Sequence, residues 1–205
     1  MTPPLLGALL FGLVALPPLA PLLEATLPSH LLGQLPALAI AGALAVGAVP
    51  RRLRARLDRI NDNGVPGMAL AAILLAYWML PRTLDAALAT ADAEVAKLLC
   101  LPLAGAAARL GWRNLGFVGR SFVLLNAVSM LLAIGLLLIH SPLRLCNAYL
   151  LDDQRVAGTG LAILAGVLAC VGAGGLLFRF PWDQRTEESS CAARNPLPSP
   201  PPSSA

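Results

Sequence analysis

Apolar residues run along this chain in blocks of about twenty, and the breaks between blocks are short and either charged or rich in proline. A half-buried strand alternates polar and apolar positions, and a helix facing water keeps one polar side; blocks without either relief are helices apolar all round, as a bilayer crossing requires. Helices are therefore expected at about 4–23, 31–49, 65–81, 93–112, 121–140 and 157–178. The last two are the clearest, since neither Val123–Ile139 nor Ala157–Phe178 holds a charge. Pro17, Pro18 and Pro21 interrupt the second half of the first. A cleaved export signal would also begin with an apolar stretch, but such signals open on a positive segment, and residues 1–50 contain no Lys or Arg. A retained first span is the expectation, and its removal the rival.

Composition sharpens this picture. Hydrophobic residues make up 57% of the chain, charged ones only 13%, and mean hydropathy is +0.72, which excludes a water-soluble globule. The expected fold is an all-α, polytopic membrane helix bundle of about six transmembrane helices over residues 1–180, followed by a Pro/Ser-rich cytoplasmic tail at 181–205. The end of that tail, NPLPSPPPSSA, lacks the apolar content to build a core and is expected to be disordered. No internal repeat of fixed period occurs.

The formal charge of +4 does not point to nucleic acid, because the basic residues are spread among loops with no interleaved aromatics. Membrane topology accounts for them. Arg51, Arg52, Arg54, Arg56, Arg59, Arg109, Arg113, Arg120, Arg179, Arg185 and Arg194 fall on one set of alternate loops and flanks; the other set has only Arg82, Arg144 and Arg155. Basic loops resist translocation, so both termini are expected to be cytoplasmic. Arg51–Arg59 is read as a topology-setting loop that touches anionic headgroups. The four cysteines, at 100, 146, 170 and 191, form no CxxC pair and carry no redox signal.

With that topology, the residues capable of chemistry collect on the outer side. His30 opens the second helix and His140 closes the fifth; Met79 and Cys146 lie at the same level, and these four are the candidate soft ligands for a metal such as Cu(I). Gln34 stands one turn after His30 on the same face. Trp78, Trp112 and Tyr149 fall where aromatic belts sit and are read as anchors. Lys97 is the unusual residue, since a charge inside the bilayer costs about 3 kcal/mol and needs a partner, a watery cavity or a snorkelling path. Glu94 is the nearest local partner, and Asp85 or Asp153 could meet Lys97 through the fold. Asp153 can also cap the sixth helix, where Gly158 and Gly160 permit close helix contact. Together Gln34, Trp78, Asp85, Lys97, Asp153 and Gln154 form the expected polar network or partner-binding set. No GxSxG, HExxH, Walker-type or strand-bounded GxGxxG motif is present, so no enzyme is expected.

The order of these features, a helix opening on His30, the segment YWMLPRTLD, then Asp153-Gln154 followed by Ala157-Gly158, resembles the CtaG-type cytochrome c oxidase assembly membrane proteins over roughly residues 28–165. That resemblance implies a multi-pass protein of the bacterial plasma (inner) membrane that assists copper insertion into haem-copper oxidases, with oxidase subunits as partners and copper as the candidate cofactor. It matches His30 to the first of two family histidines one turn apart. Gln34 stands at the second, and Lys97 falls in the region of a further family histidine. A cation in place of imidazole repels a metal ion, which opens the alternative of a metal-free scaffold or interaction protein built on Lys97. Small-solute transport ranks behind both, on intramembrane Lys97, Asn126 and glycine-interrupted helices.

Overall fold

The computed structural model describes residues 2–145 and 149–194, with side chains through residue 175. Every regular element among the described residues is helical: α1 (Pro3–Ala15), α2 (Leu19–Glu24), a π-helical turn (Ser29–Gln34) running into α3 (Leu35–Ala45), a 3-10 turn (Val46–Ala48), α4 (Arg51–Ile60), α5 (Val65–Trp78), α6 (Pro81–Ala89), α7 (Ala91–Asn114), α8 (Phe117–His140) and α9 (Leu151–Arg194).

Four of these are long and apolar enough to cross a membrane: Ser29–Ala48, Ala91–Asn114, Phe117–His140 and Leu151–Gly175. The bent pair α5 and α6 makes a fifth if it counts as one span. The first expected span is broken. Leu16 is forced extended (ψ 150) by the proline that follows, so α1 stops after 13 residues, about 20 Å, short of a bilayer's hydrocarbon core. The third ends at Trp78: Leu80, before Pro81, is extended (ψ 133), and α6 leaves α5 at 70°. Arg51–Ile60 is a helix and not the expected loop, with Pro50 at its N-cap and no residue buried. α9 carries on past residue 181 to Arg194, and the Pro/Ser run from 195 lies outside the described residues.

Proline also explains the π-helical turn. Pro36 has no N–H for the carbonyl of Leu32, and its ring would crowd that carbonyl in an α-helix. The backbone widens by one residue, with the Leu35 N–H bonded to the His30 carbonyl, and both His30 and Gln34 end up fully buried.

The helices pack in the sequence α1–α3–α7–α5, through small residues at each crossing. A Cβ on Gly42 would collide with the Pro102 backbone of α7, and one on Gly105 of α7 with the Ala39 backbone of α3. Lipid tails are as apolar as leucine, so such close backbone approach, not hydrophobicity, drives helices together. α5 meets α7 in the same way: a Cβ on Gly67 would sit 2.8 Å from the Ala107 carbonyl oxygen. Gly64 turns the chain into α5 with φ +75, a conformation that suits glycine. α8 and α9 form a separate antiparallel hairpin, in which a Cβ on Gly135 or on Gly158 would sit only 2.7–2.8 Å from the other's carbonyl oxygen. The hairpin joins the rest through the π-helical turn, where Leu32 fills the space over Gly160. The core around this junction contains Leu27, Leu31, Leu35, Leu84, Leu101, Leu138 and Leu161.

Gly105→Val is expected to lower the unfolding midpoint of the detergent-solubilised protein, at a cost of about 1–3 kcal/mol for overpacking. Gly166, whose Cβ would meet nothing within 4 Å, supplies the control: Gly166→Ala should leave the midpoint unchanged or raise it. Equal midpoints for Gly105→Val and Gly166→Ala would mean that α3 and α7 do not approach this closely.

Candidate functional site

The break between α1 and α2 and the widened turn before α3 bring two polar side chains, Glu24 and Gln34, against Lys97 of α7. Lys97, the chain's only lysine, points from α7 into the bundle with no exposed surface. Its ammonium donates to Glu24 Oε1 at 2.6 Å and to Gln34 Oε1 at 3.3 Å. Gln34 completes the ring, its Nε2 donating to the same Glu24 oxygen at 2.9 Å and to the Val14 carbonyl at 3.3 Å. A buried ammonium left alone is prohibitive, and here it meets one full charge and one amide dipole.

A second chain of hydrogen bonds starts from the backbone of the same Glu24. The Tyr149 hydroxyl donates to the Glu24 carbonyl oxygen at 3.0 Å, so its own oxygen accepts from His30 Nδ1–H at 2.7 Å. His30 Nε2 then carries the lone pair, buried and without a hydrogen-bond partner among the described residues. The two rings also meet edge to face, with centroids 6.3 Å apart. Through this bond the segment just before α9 is tied to α2 and the π-helical turn.

The soft-ligand set does not converge. His30 lies in the network just described, whereas His140 is exposed at the end of α8 and donates from Nδ1 to the Leu136 carbonyl at 2.9 Å. Met79 lines an apolar cavity of about 200 Å³ with Leu27, Leu31, Leu84, Met130 and Leu138. Cys146 lies outside the described residues. Among the described residues no group of three or more His, Cys, Asp or Glu side chains is arranged to hold a metal ion.

The expected partners of Lys97 need correction. Neither Glu94, one turn earlier on α7, nor Asp85, nor Asp153 lies within bridging distance; its carboxylate is Glu24. Asp85 is half-buried on α6, and Asp153 sits in the first turn of α9, favourable for the helix dipole. Gln154 is buried apart from Lys97. It accepts from the Leu145 N–H at 2.9 Å and donates to the Leu138 carbonyl at 3.2 Å, satisfying the end of α8. Trp78 and Tyr149 are buried and not belt anchors, while Trp112 is 42% exposed, with Arg120 over its ring. Glu24 and Tyr149 were missed as site residues. A signal for Glu24 exists: it is the only charged residue before Arg51, just as Lys97 is the only lysine.

Comparison of the chain with protein-family models, curated proteins and solved structures gives no match.

Lys97→Met strands the Glu24 carboxylate and is expected to cost about 3–5 kcal/mol, measured by thermal unfolding in detergent. Glu24→Gln combined with Lys97→Met should recover most of that loss, because no uncompensated charge remains. If Lys97→Met costs no more than Leu99→Met, on the exposed face of α7, the pair does not hold the bundle together.

Proposed function

We propose that this protein is a metal-free assembly partner of the bacterial inner membrane, acting on membrane subunits of the haem-copper oxidase class. Its polar end supplies a fixed shape and no chemistry of its own. The observation that carries this reading is the Lys97–Glu24 ion pair, at 2.6 Å with the ammonium fully buried and the carboxylate partly so. A cation and its counter-ion occupy the region where a metal would need empty coordination space and neutral imidazoles. The client class rests on the resemblance carried by His30, YWMLPRTLD and Asp153-Gln154. The side of the membrane rests on the arginine distribution: the Lys97 network faces the periplasm, and α4 faces the cytoplasm.

A second reading, delivery of copper, is favoured by one feature, the unpartnered Nε2 lone pair of His30. Titration of Cu(I) into wild type and His30→Ala separates the two. The metal-free reading expects negligible and equal binding, and stoichiometric binding lost in His30→Ala overturns it.

Deletion of the gene is expected to lower the content of assembled oxidase several-fold, read from reduced-minus-oxidised haem spectra of the membranes, with no recovery on added copper. Unchanged spectra would remove the oxidase client, and recovery on added copper would remove the metal-free role.

A further inference from the structure

The end of the bundle opposite Lys97 carries a second cluster, cationic throughout. We infer that Arg54, Arg109 and Arg113 form a binding site for the phosphate of an anionic phospholipid headgroup. The three line a cleft of about 190 Å³ between α4 and the last turns of α7, closed on its other side by Pro3, Leu44 and Val46. At about 30 Å³ per water it has room for roughly six waters, enough for a phosphate group.

The arginines are present without their counter-charge. Among the described residues, no carboxylate lies within 4.0 Å of any of the three. Arg109 and Arg113 stand four residues apart on α7, a spacing at which like charges repel. Arg113 can answer to the C-terminal dipole of α7, but that field fades within the last turn and reaches neither Arg109 nor Arg54. Arg54 shows the missing acceptor most directly. One Nη is anchored to the Val46 carbonyl, which fixes the guanidinium at the cleft, and its buried Nε has no hydrogen-bond partner among the described residues. Guanidinium forks match phosphate oxygens in geometry and charge, and a phosphate in the cleft supplies acceptor oxygens and a counter-charge to the arginines that line it.

The source of that phosphate follows from where the cleft lies. It opens where the spans of α3 and α7 end, at headgroup depth, and Pro3, Leu44 and Val46 give it an apolar wall for the start of an acyl chain. α4 points the same way: Leu53, Leu57 and Ile60 share one face, Leu53 and Ile60 remain exposed, and Arg51, Arg52, Arg56 and Arg59 flank them. A helix of that pattern lies in the interface with its apolar face toward lipid.

Native mass spectrometry of the detergent-solubilised full chain, titrated with dioleoyl-phosphatidylglycerol or dioleoyl-phosphatidylcholine, tests the site. Wild type should bind the anionic lipid about tenfold more tightly or better, and Arg109→Gln with Arg113→Gln should abolish that preference. Both residues are exposed, so this double variant is expected to unfold at the wild-type temperature in phosphatidylcholine, which separates loss of binding from loss of fold. Arg82→Gln with Arg144→Gln removes the same charge at the other end and should leave the preference intact. The inference is overturned by equal binding of the two lipids to wild type, or by an equal loss in both double variants. Inorganic phosphate binding as tightly as the lipid overturns it too, by assigning the site to the free ion.

Discussion

One ammonium group inside an apolar bundle constrains most of this fold. Lys97 has no exposed surface, and its only acid among the described residues, Glu24, lies 73 residues earlier in the chain. An isolated charge at that depth would cost more than any single helix contact returns, so the arrangement that brings Glu24 and Gln34 to Lys97 excludes others. α2 must end where its last residue reaches α7, and the turn before α3 must project Gln34 inward. Gln34 suits its place because its neutral amide both donates to Glu24 and accepts from Lys97, whereas an ionised carboxylate there could only accept and would add a second negative charge beside Glu24.

The same few residues join two otherwise separate bodies. Helices α1, α3, α7 and α5 interlock through glycine contacts, and α8 with α9 forms a hairpin of its own around Gly135 and Gly158. Between them stand the His30–Tyr149–Glu24 hydrogen bonds, Leu32 over Gly160, and the leucines around Leu138 and Leu161. Glu24 therefore acts twice, with its carboxylate on Lys97 and its carbonyl on Tyr149. Charge compensation and attachment of the hairpin meet in one residue.

Much of this was legible in the sequence, and the remainder was not for identifiable reasons. Apolar blocks located the four long apolar spans to within about six residues at either end, because a helix in lipid must be apolar all round. The continuation of α9 to Arg194 lies beyond its apolar block. Lys97 stood out by its cost. Its partner did not, because proximity along one helix favoured Glu94, whereas the pairing depends on how α2 is redirected after Pro17 and Pro18, a tertiary result. Trp78 and Tyr149 were misplaced for a related cause: a position at the end of an apolar block specifies depth but not whether a side chain faces lipid or protein. α4 was read as a loop since its arginines dominate its composition, although Leu53, Leu57 and Ile60 already recur at helical spacing.

Proline placement explains why the polar groups gather where they do. In an unbroken transmembrane helix each backbone group is bonded within the helix, and a buried polar side chain must find its partner on a neighbour. A break frees carbonyls and redirects the chain. Pro17 and Pro18 stop α1 close enough for the Val14 carbonyl to accept from Gln34, and Pro36 forces the wide turn that buries His30 and Gln34 together. Pro81 sends α6 away at 70°, and the elbow walls the apolar cavity beside that turn. The prolines that weaken the case for a simple first or third span are thus what makes a polar interior affordable in this bundle. A chain with the same apolar content and no such breaks could stack as straight helices, but it would have no place to put Lys97.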